Sequence, residues 1–427
     1  MYKENIYFTI EPYVYISIKK NRAFLYNILN QKIIESDYPS IINVIKKLKR
    51  GNQLQVIKLN WDQVKKEREV FQFLKKARNY FMGDLIHSPK AFTKPVQLIP
   101  MSGLQEDEDE KKRHFSFAKR GKIYLREITL FINASCDLDC NICRHAYKQV
   151  PCCFKTRSTP QELDLEIIKK ILKETDTGFL TKINICGGNI LKYKKYSELV
   201  DLLEKSNITK ALYIHYLNLT SSAAGFNIPD HQSFLLNILV TFPVKQETFK
   251  EILFQLKNKN LNFKVVFITQ TERELFQAQD ILKRFRIDQF SFSPYYNGKN
   301  ITFFKKYVYV KKKNLLRSKP SIKDILARKV VNHNYFGHLV IQNSGDVYAS
   351  TNDNKPMGNI SSDSIGQFVC KELQKKNRWL KTRDRVKPCR DCHYQLLCPS
   401  ISNYEYAIGK NNLCTIYREN KHETRKQ

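Results

Sequence analysis

The sequence predicts an α/β fold centred on a partial (β/α)6, TIM-like barrel with a smaller unit on either side. Three observations predict it. From Arg126 to about Asn300, strand-like apolar runs alternate with amphipathic stretches, as in a parallel sheet with crossover helices. The alternation gives six units, too few for a closed eight-fold barrel. Seven of the 11 cysteines also fall into two clusters with ligand-like spacing, one behind the first strand and one beyond the last.

Residues 1–94 read as a small α+β unit. Val14, Ile16 and Ile18 alternate with Tyr13, Tyr15 and Ser17, the period of a strand. Polar turns at Lys19–Arg22 and Asn30–Lys32 lead into further strands at Ala23–Ile28 and Ile33–Glu35. Ile41, Val44, Ile45 and Leu48 form a helical stripe that Gly51 would end. A longer helix is expected from Gln63 to about Met82, with Gly83 and Asp84 at its C-terminus. Residues 95–125 read as a linker, since the acidic run Glu106–Glu110 and the basic Lys111–Arg113 have no apolar period.

The barrel is expected over 126–305. Its strands are predicted at Ile128–Asn133, Lys182–Cys186, Ala211–Asn218, Leu235–Phe242, Phe263–Thr269 and Gln289–Ser293. Helices are predicted at Leu163–Lys173, Glu247–Asn258 and Glu272–Arg284. Past Lys305 the alternation stops, and 306–427 reads as a separate small domain with a hairpin over Gly337–Ser350.

A chain of 427 residues has room for two or three such units, and 42% hydrophobic residues exclude a mostly disordered protein. No apolar run approaches a membrane span, and Met1 to Ile10 carries no signal-peptide pattern, so a cytoplasmic protein without a membrane partner is expected. The net charge of +32 admits an acidic partner such as nucleic acid or an acidic peptide. It is spread thinly, with its densest cluster only Lys311–Lys313, and lysines on solvated faces account for most of it.

The chemistry is in the cysteines. Cys136, Cys140 and Cys143 follow directly on the first barrel strand. Three thiolates on one loop can hold three corners of a [4Fe–4S] cube and leave one iron open to a small amino-carboxylate ligand. The alternative is zinc, with His145 as fourth ligand. Cys389, Cys392, Cys398 and Cys414 form a second set, able to bind either zinc or a second [4Fe–4S] cluster. Cys152 and Cys153 lie close behind the triad, where a redox, covalent or structural role is open. Cys186 reads as a small buried hydrophobe.

The CxxxCxxC triad, with Ile142 before its third cysteine, resembles the radical SAM superfamily. The resemblance implies that the open iron binds S-adenosylmethionine, whose reductive cleavage yields a 5′-deoxyadenosyl radical. It also implies a reducing partner such as flavodoxin or ferredoxin. Gly187, Gly188 and Asn189 resemble the family's glycine-rich cofactor motif, with Asn189 where an acidic residue is usual. Ser291 and Ser293 are candidates for contacts to the cofactor. The C-terminal set resembles the SPASM extension of peptide-modifying members, and the match implies an outer auxiliary cluster. The inner one is implied absent, because Ser350 and Ser402 stand at its ligand positions.

Over nearly the whole chain the sequence resembles the "pseudo-rSAM" family that accompanies GG-Bacteroidales-type precursors. The resemblance includes Glu11–Ser17, Phe81–Asp84, Tyr147–Gln149 and Cys398–Glu405. It implies an enzyme that modifies a ribosomally made precursor peptide, whose leader would pair with the N-terminal unit as an added strand. Two rivals stand beside it: a catalytically silent iron–sulfur partner that presents the precursor, and an RNA-modifying radical SAM enzyme.

Overall fold

The computed structural model describes residues 5–49, 56–88, 121–153, 161–176, 179–220 and 234–416. The acidic run Glu106–Glu110, most of the expected linker and Gly51 lie outside the described residues.

The N-terminal unit contains β1 (Asn5–Ile10), β2 (Val14–Lys19), β3 (Arg22–Asn27), β4 (Ile33–Ser36), β5 (Val56–Leu59) and β6 (Gly83–Ser88). β2, β3 and β4 form the expected antiparallel meander. A second sheet, β5-β1-β6, was not anticipated. Both share one core with the helices Pro39–Leu48 and Arg68–Asn79, around Phe8, Leu25, Ile45 and Leu74.

The helix expected over Gln63–Met82 is in fact two, Trp61–Lys66 and Arg68–Asn79, broken at Glu67, where ψ is 87°. Nor does Gly83 end it. Phe81 takes the left-handed turn at φ 53°, and the Met82 N–H bonds back to the Ala77 carbonyl. Gly83 starts β6 opposite Ile10, where a Cβ would come within 2.1 Å of the Thr9 carbonyl oxygen. Close approach of two strands, rather than a helix cap, requires the glycine.

The six predicted barrel strands all form: β7 (Glu127–Phe131), β8 (Lys182–Cys186), β9 (Thr209–His215), β10 (Phe234–Val240), β11 (Phe263–Thr269) and β12 (Phe290–Pro294). They are parallel and lie side by side in chain order. Such a singly wound path is what a partial barrel needs. Their side chains sort strictly to two faces. Ile128, Leu130, Ile183, Ile185, Leu212 and Ile214 pack under helices that include Leu165–Thr175 and Gln246–Asn258. Phe131, Cys186, Tyr213, Leu239, Val266 and Ile268 face the other way, against the loop that follows β7.

The C-terminal hairpin forms as β13 (His338–Ile341) and β14 (Asp346–Tyr348), but it does not stand apart. β13 also pairs in parallel with β7, and with β15 (Gly358–Asn359) the described sheet reaches nine strands, β12-β11-β10-β9-β8-β7-β13-β14-β15. The hairpin covers the edge that β7 would otherwise expose. Polar contacts fasten β7 on both sides, to β8 and to β13. Glu127 accepts hydrogen bonds from Lys182 and Asn184, and Thr129 Oγ1 lies 2.8 Å from His338 Nε2. No helix among the described residues is long and apolar enough to cross a membrane.

Candidate metal centres

β7 delivers the chain at its C-terminal end to the loop that carries the triad. Apolar residues hold that loop down: Ile142, Ala146 and Val150 sink into the inner face beside Phe131, Tyr213 and Leu239. Gln149 ties its far end to the turn after β12. Its Nε2 donates to the Tyr296 carbonyl and its Oε1 accepts from the Tyr296 N–H, both at 2.8 Å. The sequence thereby brings Cys136, Cys140 and Cys143 to one cavity at the C-terminal ends of the parallel strands. Active sites of such sheets lie at that end.

Gly188, His215, Leu239, Thr241 and Ile268 also line the cavity, together with two further sulfurs, Cys152 and Cys153. None of the 11 cysteines is joined in a disulfide. Burial, followed by the neighbouring Cys143 and Cys136, pushes the Cys140 thiol up to about 11. Thiols this reluctant to ionise alone become good ligands once a cation offsets the crowded negative charge, and binding then releases their protons.

The glycine pair does more than leave room. Gly187 and Gly188 have φ of 107° and 48°, and a Cβ on Gly188 would meet the Ser135 carbonyl oxygen at 2.2 Å. The turn after β8 is thus packed backbone to backbone on the residues just before Cys136. Asn189 is buried, its Oδ1 accepting from the Leu191 N–H to cap a short helical turn. That gives it a structural task the sequence did not announce. Ser291 and Ser293 pair with Val266 and Ile268, on the same face as the triad loop, but neither lines the cavity. Cys186 is fully buried among apolar neighbours, as expected.

Sequence reasoning missed three polar residues here. His215 Nε2 lies 3.0 Å from Thr241 Oγ1, and its Nδ1 accepts from the Leu217 N–H, which leaves the proton on Nε2. Burial lowers its pKa from an ordinary 6.5 to about 4, so the ring is neutral. The Asn218 Nδ2 donates toward Cys136 Sγ at 3.7 Å. Their one sequence signal was position, just at or past the end of a parallel strand. His145, the candidate fourth zinc ligand, lines a separate polar cleft with Lys148, Tyr296 and Arg378.

The second set also converges. Cys389, Cys392, Cys398 and Cys414 line one cavity. Burial pushes Cys392 up to about 11 and Cys398 up to about 12. Arg383 supplies the compensating charge: buried and paired with Glu405 at 2.6 Å, it also reaches Cys389 Sγ at 3.6 Å. Ser350 and Ser402 are occupied otherwise. Ser350 Oγ accepts from the Asn352 N–H, and Ser402 caps the helix Asn403–Ile408 in a reciprocal bond with Glu405.

Among the described residues, no three His, Cys, Asp or Glu side chains close on one point as a lone ion requires. Each set surrounds a cavity instead. Sulfur donors in this number suit a polynuclear iron–sulfur cluster as they suit zinc.

No protein-family model and no curated protein matches the chain. Several solved structures align distantly. Streptococcus suis SuiB bound to precursor peptide SuiA is 13% identical with a TM-score of 0.49, over 95% of this chain and 97% of that one. SuiB bound to S-adenosylmethionine aligns over the same shares with a TM-score of 0.45. AnSMEcpe with bound AdoMet and the Kp18Cys peptide is 14% identical with a TM-score of 0.44, over 64% of this chain and 87% of that one. Likenesses this distant leave family and activity to be argued from the site itself.

Proposed function

We propose that this chain is a radical SAM enzyme that modifies a ribosomally made precursor peptide, with a second, auxiliary cluster in its C-terminal unit. One observation carries the reading: Cys136, Cys140 and Cys143 converge on a single cavity at the C-terminal ends of six parallel strands. A [4Fe–4S] cluster bound there by three thiolates would supply the electron that cleaves S-adenosylmethionine. The chain's own part is to position and to exclude water. Ile142, Ala146 and Val150 seat the loop, and Ile268 and Leu239 give the cavity apolar walls. The Asn218 amide offers a hydrogen bond to the Cys136 sulfur, the kind of contact that tunes a cluster's potential. Cys389, Cys392, Cys398 and Cys414 would hold the auxiliary cluster, with the Arg383 charge beside them.

Anaerobic reconstitution tests this directly. The protein should take up about eight irons, and changing the triad to alanine should leave about four. Stoichiometric zinc at the C-terminal set would sink the auxiliary-cluster claim. For the peptide, the edges β2 and β4 of the β2-β3-β4 sheet, which pair with no further strand among the described residues, are the docking place we favour, and a leader strand should slow amide exchange along one of them.

Asn189 favours a second reading, a silent partner that presents the precursor. It is not acidic, and its side chain is engaged in a turn. Release of 5′-deoxyadenosine on reduction with dithionite in the presence of S-adenosylmethionine separates the two.

A further inference from the structure

Five sulfurs line the triad's cavity, where a site-differentiated cluster needs three. The two extra ones differ. Cys152 is 3% exposed and belongs to the apolar packing under the loop, beside Ile142, Ala146 and Val150. Cys153, one residue on, packs at the margin of the same apolar cluster, reaches the surface in part and lines the cavity with Cys136, Cys140 and Cys143. It is not on a free arm. The Gln149 bonds to Tyr296 and the backbone bonds from Gln149 and Val150 to the Ala146 carbonyl fold the segment back, and Cys153 follows within four residues.

We infer that Cys153 is a fourth protein ligand to the triad's cluster, a thiolate clasp on the iron that the triad leaves open. The inference rests on the proposed iron–sulfur reading and sharpens it. Thiolate is the ligand type iron–sulfur clusters select, so a fourth one held at the cavity should outcompete an amine and a carboxylate. An amino-carboxylate cofactor would then bind only by exchange. The iron–sulfur bond to Cys153 breaks, and the thiolate takes the proton that the cofactor's ammonium gives up. The iron gains a nitrogen and an oxygen ligand, and no electron moves. Apparent cofactor affinity is reduced by the fraction of molecules in which the clasp is open.

The test uses the full-length protein, reconstituted anaerobically, with S-adenosylmethionine as the probe. Electron paramagnetic resonance of the reduced protein is recorded with and without it. The C-terminal cluster, with four thiols of its own, should be silent in the difference. The wild-type spectrum should change little, while Cys153→Ala should shift clearly and bind the probe roughly ten-fold more tightly or better. Cys152→Ala should behave as wild type. A full shift in the wild type, with unchanged affinity in Cys153→Ala, overturns the clasp and leaves the iron–sulfur reading standing. Failure of the wild type to take iron at the triad overturns both. Should Cys153→Ala lose its cluster, alkylation of the wild type decides. Cys153 protected from iodoacetamide until a chelator strips the iron supports the clasp, and rapid labelling of the iron-loaded protein overturns it.

Discussion

Single residues set the surroundings of the two candidate centres, and His215 shows how. It sits in the wall of the triad's cavity with both ring nitrogens engaged, so it serves as a neutral buttress. Its pKa falls from 6.5 to about 4 because burial penalises the imidazolium. As the pH drops below 6.5 the unfolded chain takes up a proton that the native ring refuses until about 4. Native stability is therefore lost across that window, by about 3 kcal/mol if the whole shift is expressed. Urea unfolding of the metal-free protein at pH 7 and pH 4.5 should show this loss, and His215→Gln should flatten the pH dependence. The same slope in both proteins would assign it to other groups. At this scale the sequence was most legible for the seven clustered cysteines, whose spacing is local and which the fold gathers at two cavities. His215, Thr241 and Asn218 were not legible, because a polar residue at a strand end means little until its neighbours are known.

At the scale of elements, the turn after β8 is the part on which the triad leans. Gly188 has a left-handed backbone, and a side chain there would be driven into the Ser135 carbonyl. Unlike a flexible side chain, that carbonyl belongs to the segment that aims Cys136. Gly188→Ala should therefore cost the triad its cluster while sparing the C-terminal one, taking iron from about eight to about four. Iron counted per chain, with the fold checked by circular dichroism, tests it. Unchanged iron would show that the turn can yield without moving the loop. The strands themselves were readable to within three residues: β8 and β11 match in full, whereas the strand expected over Ala211–Asn218 begins at Thr209 and ends at His215, where a short helical turn takes over. The N-terminal unit was read less well. β1 and β6 lie against each other through residues far apart in sequence, and the single glycine that permits it looks like a helix end.

Over the whole molecule, the N-terminal sheet and the second cysteine set share one core. Tyr15, Phe24 and Tyr26 project from the far face of the β2-β3-β4 sheet onto Tyr394, Leu396 and Leu397, with Cys392, Cys398 and Cys414 alongside. Phe24 meets the Tyr394 ring edge-on at 4.9 Å and stacks on His393 at 5.9 Å. The Tyr15 hydroxyl donates to the His393 carbonyl, and the Tyr394 hydroxyl donates to Glu35. Phe24→Ala should cost about 3–5 kcal/mol, and it should act at a distance along the chain. Iron at the C-terminal set should pass to a chelator faster, while the triad's iron leaves at the wild-type rate. Equal acceleration at both sets would mean general destabilisation instead. Deleting residues 1–94 would strip this core bare, so the leader's docking place is better sought by amide exchange than by truncation.

By itself the sequence determined which sulfurs form each set, and the order and kind of the barrel elements. Both are written in short-range patterns: thiol spacing within one loop, and apolar periods of two or 3.6 residues. Only the tertiary structure decided what surrounds those sulfurs. It brought Cys152 and Cys153 to the triad's cavity and spent Asn189 on a turn. It also set β13 beside β7 and laid the N-terminal sheet over the second set. Each of these joins residues distant in the chain, and such partners are chosen by the fit of whole faces, which no local period records.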